Sequence, residues 1–268
     1  MKSSTFDGFK SLIYDRCGIS LGENKKALLT SRIARHMRRL GIDTHEEYLQ
    51  HVMHDGSGTE IQNLLDAIST NVTSFYREKA HFEILRSYIR EQVEHGKGRY
   101  RMWSAACSSG EEPYTMAIEV LESLGGSARD VKILATDINT EILRECMRGV
   151  YSQSKVDPVP AQLRSRYLKK QVSGGETLYS VNDALRKIVV VRQMNLNRVP
   201  YPIKGPLDVI FCRNVMIYFD RTTRARILGE FRRVLAPGGY LFLGHAESLS
   251  GGLGDGFITI APSAYMRS

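Results

Sequence analysis

Cysteine is scarce in this 268-residue sequence, which has four: Cys17, Cys107, Cys146 and Cys212. They are scattered, without the paired spacing of metal ligands or the density of a disulfide scaffold. We therefore predict small, mostly buried thiols in a reduced, cytoplasmic protein. His51 and His54 lack a third ligand nearby, so they are interpreted as a surface pair, and no metal site is predicted.

Long apolar runs are also missing from the sequence. The N-terminal stretch MKSSTFDGFKSLIYDRCG has polar and charged positions throughout, so we expect neither a signal peptide nor membrane insertion. Apolar residues make up 42% of the chain and charged residues 25%, which is ordinary for a globular fold. This length accommodates one large domain, or a medium domain with a small companion.

Acidic residues are sparse in two segments of a chain whose net charge is +8. Residues 148–204 hold eleven Lys and Arg against three acids, and residues 25–39 hold six and no acid. Such basic fields favour an anionic partner: nucleic acid, an anionic membrane or an acidic protein surface. A solvated basic face explains the same pattern about equally well.

Residues 1–70 show helical periodicity and no strand-like alternation, which predicts a small all-α N-terminal domain. The clearest apolar stripe, in KKALLTSRIARHMRRLG, consists of Leu29, Ile33, Met37 and Leu40. Gly41 follows it as a C-cap. Further helices are predicted at 44–54 and 59–68. Residues 71–78 are interpreted as an ordered connector.

Residues 79–268 are predicted to form one α/β domain, which begins with a helix at 79–95. Strands are predicted at 100–105, 131–136, 187–193, 207–212 and 239–244, and helices at 113–124, 139–147 and 222–235. This alternation indicates a parallel sheet covered on both faces. The interval 150–186 is interpreted as a small antiparallel β insertion, and FITIAPSAYMRS as a terminal antiparallel hairpin.

The turn AACSSGEEPY, between the first strand and its helix, has one glycine where a dinucleotide-binding loop has several. Glu111 and Glu112 would oppose a pyrophosphate, which needs free backbone N–H groups. S-adenosylmethionine suits the turn better, because it has a ribose, no phosphate and a cationic centre. Asp137 ends the second strand, where an acid accepts hydrogen bonds from ribose hydroxyls. Acids that only complement a helix dipole are the structural alternative.

Five segments together resemble the CheR-type chemotaxis receptor methyltransferases: TNVTSFYRE, SAACSSGEEPYTMAIE, ILATDIN, FCRNVMIYFD and LAPGGYLFLGHAESL. The resemblance covers nearly the whole chain in the right order. It implies a class I (Rossmann-like) methyltransferase sheet with the helical N-terminal domain and the β insertion. It also implies methyl transfer from S-adenosylmethionine to receptor glutamates, leaving S-adenosylhomocysteine and a glutamate methyl ester.

The resemblance also implies a set of site residues. The cofactor would contact Asn71, Thr73, Arg77, Ala105, Glu111, Asp137, Asn195, Leu196, Arg213 and Asn214. Arg213 and Asn214 would lie beneath the cofactor and Tyr218 near the reactive methyl, with Tyr218 and Arg213 as the catalytic residues. Sequence alone would assign Tyr218 to the core, and the resemblance reverses that interpretation.

The expected partner is the cytoplasmic helical domain of chemoreceptors. Because receptor methylation segments are acidic helices, Arg32, Arg35 and Arg39 on the basic helix are candidate substrate contacts. The Gly-Gly loop of the insertion is compatible with docking of a receptor C-terminal peptide. The alternatives are a class I methyltransferase acting on nucleic acid or another protein, and a non-catalytic binding module. The basic run has no interleaved aromatic cluster, so nucleic acid is not expected.

Overall fold

The computed structural model describes residues 1–125, 129–249 and 251–268. Its strands, in chain order, are β1 Arg99–Ala105, β2 Asp130–Asp137, β3 Val150–Ser152, β4 Leu168–Ser173, β5 Glu176–Val181, β6 Val189–Gln193, β7 Leu207–Cys212, β8 Leu235–Leu243, β9 Phe257–Ala261 and β10 Ala264–Arg267. Seven of them form one sheet in the order β6-β2-β1-β7-β8-β10-β9. The first five of that order are parallel, and β10 is antiparallel to both neighbours.

The helices are α1 Ser3–Cys17, α2 Lys26–Leu40, α3 His45–His54, α4 Thr59–Ile68, α5 Ala80–Glu94, α6 Glu111–Ser123, α7 Thr140–Arg148, α8 Gln153–Val156, α9 Ala161–Tyr167, α10 Asp183–Ile188 and α11 Arg221–Val234. Short 3₁₀ turns lie at Glu23–Lys25 and Met216–Tyr218. The predicted alternation of strands and helices and the terminal antiparallel hairpin are confirmed. Across the described residues no helix combines the length and the apolar character needed to cross a bilayer.

The N-terminal helices α1 to α4 surround their own apolar core. Leu29, Ile33 and Met37 of α2 are buried there, as the periodicity predicts, and Gly41 ends the helix in the left-handed conformation. A capping box between Thr44 and Glu47 begins α3, because each residue satisfies a free N–H of the other.

The strand order reverses between β1 and β7. From β1, the strands β2 and β6 extend to one side of the sheet, and the strands β7 and β8 extend to the other. Every residue of β7 is buried, as expected for a central strand covered on both faces. In such sheets a crevice opens at the carboxyl ends of the strands where the order reverses. The sheet therefore determines where a ligand site can form.

The predicted β insertion is a three-stranded antiparallel sheet in the order β3-β5-β4, accompanied by α8 and α9. The prediction missed these short helices and α10, because runs of four to seven residues give little periodicity to detect. The sheet packs beside the turn after β1 through Tyr151, whose hydroxyl donates to the carbonyl of Ser109 at 2.8 Å.

The helical domain is bound to the sheet domain by polar contacts. Tyr14 donates to the Asp220 carboxylate at 2.5 Å, and Asp66 accepts from both the backbone N–H and the hydroxyl of Thr140. The backbone N–H of Ser20 donates to the carbonyl of Tyr218 at 2.9 Å. The segment after α1 consequently reaches the carboxyl edge of the sheet.

Candidate active site

A cleft with about 940 Å³ of empty space, including its open mouth, lies at the carboxyl ends of β1, β2, β6 and β7. Its lining residues come from the end of α1 and the segment after it, residues 69–77, the strand ends and the 3₁₀ turn. Nine of the predicted residues line it: Asn71, Thr73, Arg77, Asp137, Asn195, Leu196, Arg213, Asn214 and Tyr218. The structure thus brings together side chains that lie up to 147 residues apart in the sequence.

The turn after β1 presents different residues to its two sides. Ala106, Ser108 and Glu112 line the cleft. Ala105 and Glu111, which were predicted to contact the cofactor, do not line it. Ala105 is buried at the end of β1, and Glu111 is fully buried and faces the β insertion.

The backbone explains this division. Ala106, Ser108 and Gly110 all have positive φ, so the chain turns sharply after the strand and neighbouring residues face opposite sides of the turn. At Gly110 a side chain would also collide, because a Cβ would lie 2.8 Å from both Cys146 Sγ and Tyr151 Oη. The single glycine of the turn is therefore required by packing as well as by its φ of +100°.

Asp137 combines burial with a fixed orientation. Its Oδ2 accepts the Ser108 N–H at 2.9 Å and its Oδ1 accepts the Asn139 N–H at 3.0 Å. Burial raises the pKa of its carboxyl, and these N–H donors oppose that rise. The carboxylate is held at the strand end with remaining lone pairs that a ligand hydroxyl can use.

Arg213 lies at the centre of a buried ion-pair network. Its guanidinium is 3.1 Å from Glu78 and 3.3 Å from Glu112, and it also donates to the carbonyl of Arg77. Burial raises the pKa of Glu112, and the Arg213 charge offsets this only in part. A cationic ligand group beside Glu112 is therefore electrostatically favoured.

Glu78, His81 and His245 bring three potential metal-ligating groups together. Burial, followed by the Arg213 charge, lowers the pKa of His81 to about 4, so this ring is neutral at pH 7. Glu78 is already engaged by Arg213, by the side chain of Asn214 and by the His245 N–H. Because a guanidinium occupies the carboxylate, we assign the group to the ion-pair network and not to a metal site.

Tyr218 and Asn195 form the side of the cleft that the N-terminal domain completes. Tyr218 is half-buried, and within the described chain its hydroxyl has no hydrogen-bond partner, so it is available to a ligand. Asn195 donates to the carbonyl of Arg16 at 2.7 Å. Cys17 and Ile19 also line the cleft, which sequence reasoning missed because nothing local marks them.

The connector covers the cleft from the helical side. Its Asn71 carbonyl accepts from the Ser108 hydroxyl at 3.1 Å, and Arg77 donates to the Val72 carbonyl at 2.8 Å. Val72 leaves 76% of its surface exposed although it lines the cleft. Arg77 forms no ion pair among the described residues, although its charge acts on Glu112, so its guanidinium can still pair with a ligand anion.

The three predicted substrate arginines of α2 have different environments. Arg32 donates to the carbonyls of Ile68 at 2.6 Å and Ser69 at 2.9 Å, so it caps the end of α4. Arg39 forms an ion pair with Glu60 at 3.1 Å. Arg35 is exposed, and in the described part of the chain it has no ionic partner. Helical periodicity predicts that the three arginines lie on one helix, but it does not predict these separate contacts.

The cleft fits S-adenosylmethionine on three observations. Asp137 is held at a strand end as an acceptor for hydroxyl groups, and the incompletely neutralised Glu112 suits an ammonium group. Ile138, Leu196 and Phe219 supply apolar surface for an aromatic base. The same carboxylates disfavour a phosphate-bearing ligand.

Comparison with known proteins agrees with this fit. Residues 71–265 match the CheR methyltransferase SAM-binding domain, and residues 4–69 match the CheR all-α domain. A chemotaxis protein methyltransferase of Salmonella typhimurium is 40% identical over 89% of this chain and 82% of its own length. Chemotaxis protein methyltransferase 2 of Pseudomonas aeruginosa is 40% identical over 91% and 86%.

These matches confirm the predicted family, the predicted fold and the predicted cofactor. The sheet with its helices is a class I methyltransferase fold, accompanied by an all-α domain and a small antiparallel sheet. Because the matched segments cover both domains, the chain belongs to the CheR family of S-adenosylmethionine-dependent methyltransferases.

Proposed function

We propose that this protein is a cytoplasmic protein-glutamate O-methyltransferase that methylates chemoreceptors in their helical cytoplasmic domain. The observation that carries the proposal is the match to both CheR domains, together with relatives named as chemotaxis protein methyltransferases. The product would be a glutamate methyl ester, which removes one negative charge from the receptor surface.

The reaction requires the protein to position the two reactants, and it requires no proton transfer. S-adenosylmethionine, when bound, supplies an electrophilic methyl group on a sulfonium. A glutamate side chain has an unperturbed pKa of about 4.3, so the attacking carboxylate is already ionised at pH 7. The protein need only align it and exclude water. Among the described residues no histidine lines the cleft, and burial raises the pKa of the Cys17 thiol there to about 11, so it keeps its proton at pH 7 and is not a nucleophile.

The chain's own residues divide the work of positioning. Asp137 would accept ribose hydroxyls, and Glu112 would pair with the ammonium group in place of the predicted Glu111. Arg77 is free to pair with the ligand carboxylate. Arg213 holds Glu112 and Glu78 in place, so its catalytic contribution would act through Glu112. Tyr218 lines the mouth with a free hydroxyl and is proposed as the residue beside the reacting methyl.

Transfer of labelled methyl to receptor-containing membranes tests the proposed reaction. We expect label in the receptors that mild alkali releases as volatile methanol, because carboxyl esters are hydrolysed and N-methyl groups are not. Membranes without receptors are the control and should remain unlabelled. Alkali-stable label, or label in RNA, would instead support the nucleic-acid or other-protein alternative.

The free charge of Arg35 leads to a prediction about receptor recognition. Replacing Arg35 with glutamate should raise the receptor KM about threefold to tenfold, since a fixed charge near an acidic helix steers association. Cofactor affinity should stay unchanged, because Arg35 does not line the cleft. Steady-state methylation and calorimetry measure the two quantities.

Arg90 provides the matched control for this variant. It is exposed on α5, and the described residues give it no ionic partner, so Arg90→Glu makes the same charge change on a different helix. Equal effects of the two reversals would mean that net charge, and not the α2 surface, determines receptor affinity.

A further inference from the structure

Glu111 is a buried charge that the cofactor site leaves unexplained. Its carboxylate is fully buried, and it points away from the cleft. Its cationic neighbour is Lys155 of α8, whose Nζ lies 3.0 Å from Glu111 Oε1. The Ser109 hydroxyl donates to the other carboxylate oxygen at 2.6 Å. A residue of the β insertion therefore neutralises a charge at the base of the cofactor turn.

A second contact connects the insertion to the same turn. Tyr151 of β3 donates its hydroxyl to the Ser109 carbonyl at 2.8 Å, and its ring packs edge-on against Phe75 of the connector, with centroids 5.0 Å apart. The Lys155 ammonium lies 5.8 Å from the Tyr151 ring centroid. Burial, followed by the Glu111 charge, raises the pKa of Tyr151, so the hydroxyl keeps its proton and remains a donor.

The turn thus lies between two surfaces. Ala106, Ser108 and Glu112 face the cleft, whereas Ser109 and Glu111 contact the insertion. Because residues of both groups are neighbours in one short, sharply bent segment, a displacement on the insertion side moves the residues on the cleft side. The turn is tightly packed against the insertion, because a Cβ at Gly110 would lie 2.8 Å from Tyr151 Oη.

We propose that Lys155 and Tyr151 are positioning residues for S-adenosylmethionine, which makes the β insertion a structural part of the cofactor site. They act through the 106–112 turn and do not touch the cofactor. Without Lys155, the Glu111 carboxylate is buried without a cationic partner, and any movement that relieves this also moves the first turn of α6, which contains Glu112. This inference rests on cofactor binding by the family and is independent of the methyl acceptor.

A double-mutant cycle tests the proposal, with S-adenosylmethionine titrated into the full chain by calorimetry in the absence of receptor. Lys155→Met should raise the cofactor Kd about tenfold. Glu111→Gln should raise it less, because Lys155 is 45% exposed and stays hydrated without a partner. The double variant should bind more tightly than Lys155→Met alone, since it removes both charges and leaves none buried unpaired.

Two further variants control for folding and for net charge. Lys169→Met removes an exposed lysine from β4 of the same insertion and should leave the Kd unchanged. Tyr151→Phe removes one hydroxyl while keeping the ring, and should raise the Kd about threefold, the scale of one hydrogen bond. If Lys155→Met does not fold, the Tyr151→Phe variant tests the proposal in its place.

The opposite results are equally clear. A Lys155→Met protein that melts at lower temperature but binds the cofactor with unchanged Kd would show a purely structural role. Full loss of binding in Glu111→Gln without rescue by Lys155→Met would show that Glu111 contacts the cofactor itself. Either outcome overturns the proposal, and neither bears on whether receptors are the substrate.

Discussion

Replacing Arg213 with methionine should lower the free energy of unfolding by about 3–5 kcal/mol. The Arg213 side chain is 2% exposed and pairs with Glu78 and Glu112, each 11% exposed. Its removal leaves two largely buried carboxylates close together without the guanidinium that pairs with both of them. Urea unfolding of the intact chain, followed by circular dichroism, measures the change.

Arg166→Met is the matched control, because Arg166 also donates to a glutamate, Glu122, at 2.6 Å. That pair is on the surface, with the Arg166 side chain 63% exposed, so its loss should cost about 0–1 kcal/mol. Similar losses in both variants would show that the Arg213 network contributes no more than a surface ion pair. If the Arg213→Met protein were as stable as the unchanged protein, the ion-pair network would not contribute to the stability of the site.

Replacing Asp137 with alanine should weaken S-adenosylmethionine binding by about 1–3 kcal/mol, the scale of hydrogen bonds lost in a buried site. Besides the bonds to the ligand, the substitution removes the acceptor of the Ser108 and Asn139 N–H groups, which orient the turn and the start of α7. Calorimetric titration of the purified chain gives the affinity directly.

Asp130→Ala is the control for this variant, because Asp130 begins the same strand and is exposed at its opposite end. Its pairing with Arg101 lies away from the cleft, so cofactor affinity should not change. If Asp137→Ala also bound with unchanged affinity, Asp137 would not belong to the cofactor site.

Much of this site could be predicted without coordinates, because the residues follow strand ends. The carboxyl ends of parallel strands meet at one edge of a sheet, so Asp137, Asn195 and Arg213 were expected to converge, and the cleft contains all three. Cys17 and Ile19 could not be predicted in this way. They reach the cleft only because the helical domain docks there.

The sequence pattern does not determine whether Glu111 or Glu112 faces the cofactor. Both residues begin α6, and their charges indicate a cationic ligand whichever of them faces it. Successive residues on a helix point about 100° apart, so the sequence cannot say which one meets the cleft. Packing decides it: Lys155 and Ser109 engage Glu111, while Ser104 and Arg213 orient Glu112.

The sequence by itself determined the alternation of strands and helices, the small helical domain, the family and the class of cofactor. The elements follow from periodicity, the class of cofactor from the charges of the turn after β1, and the family from the resemblance of short contiguous motifs, all of which are local properties of the chain. Only the tertiary structure decided that Arg32 caps α4, that Arg35 is free and that the β insertion neutralises Glu111. Such roles depend on which distant groups come within 3–4 Å, and that is a property of the packed chain.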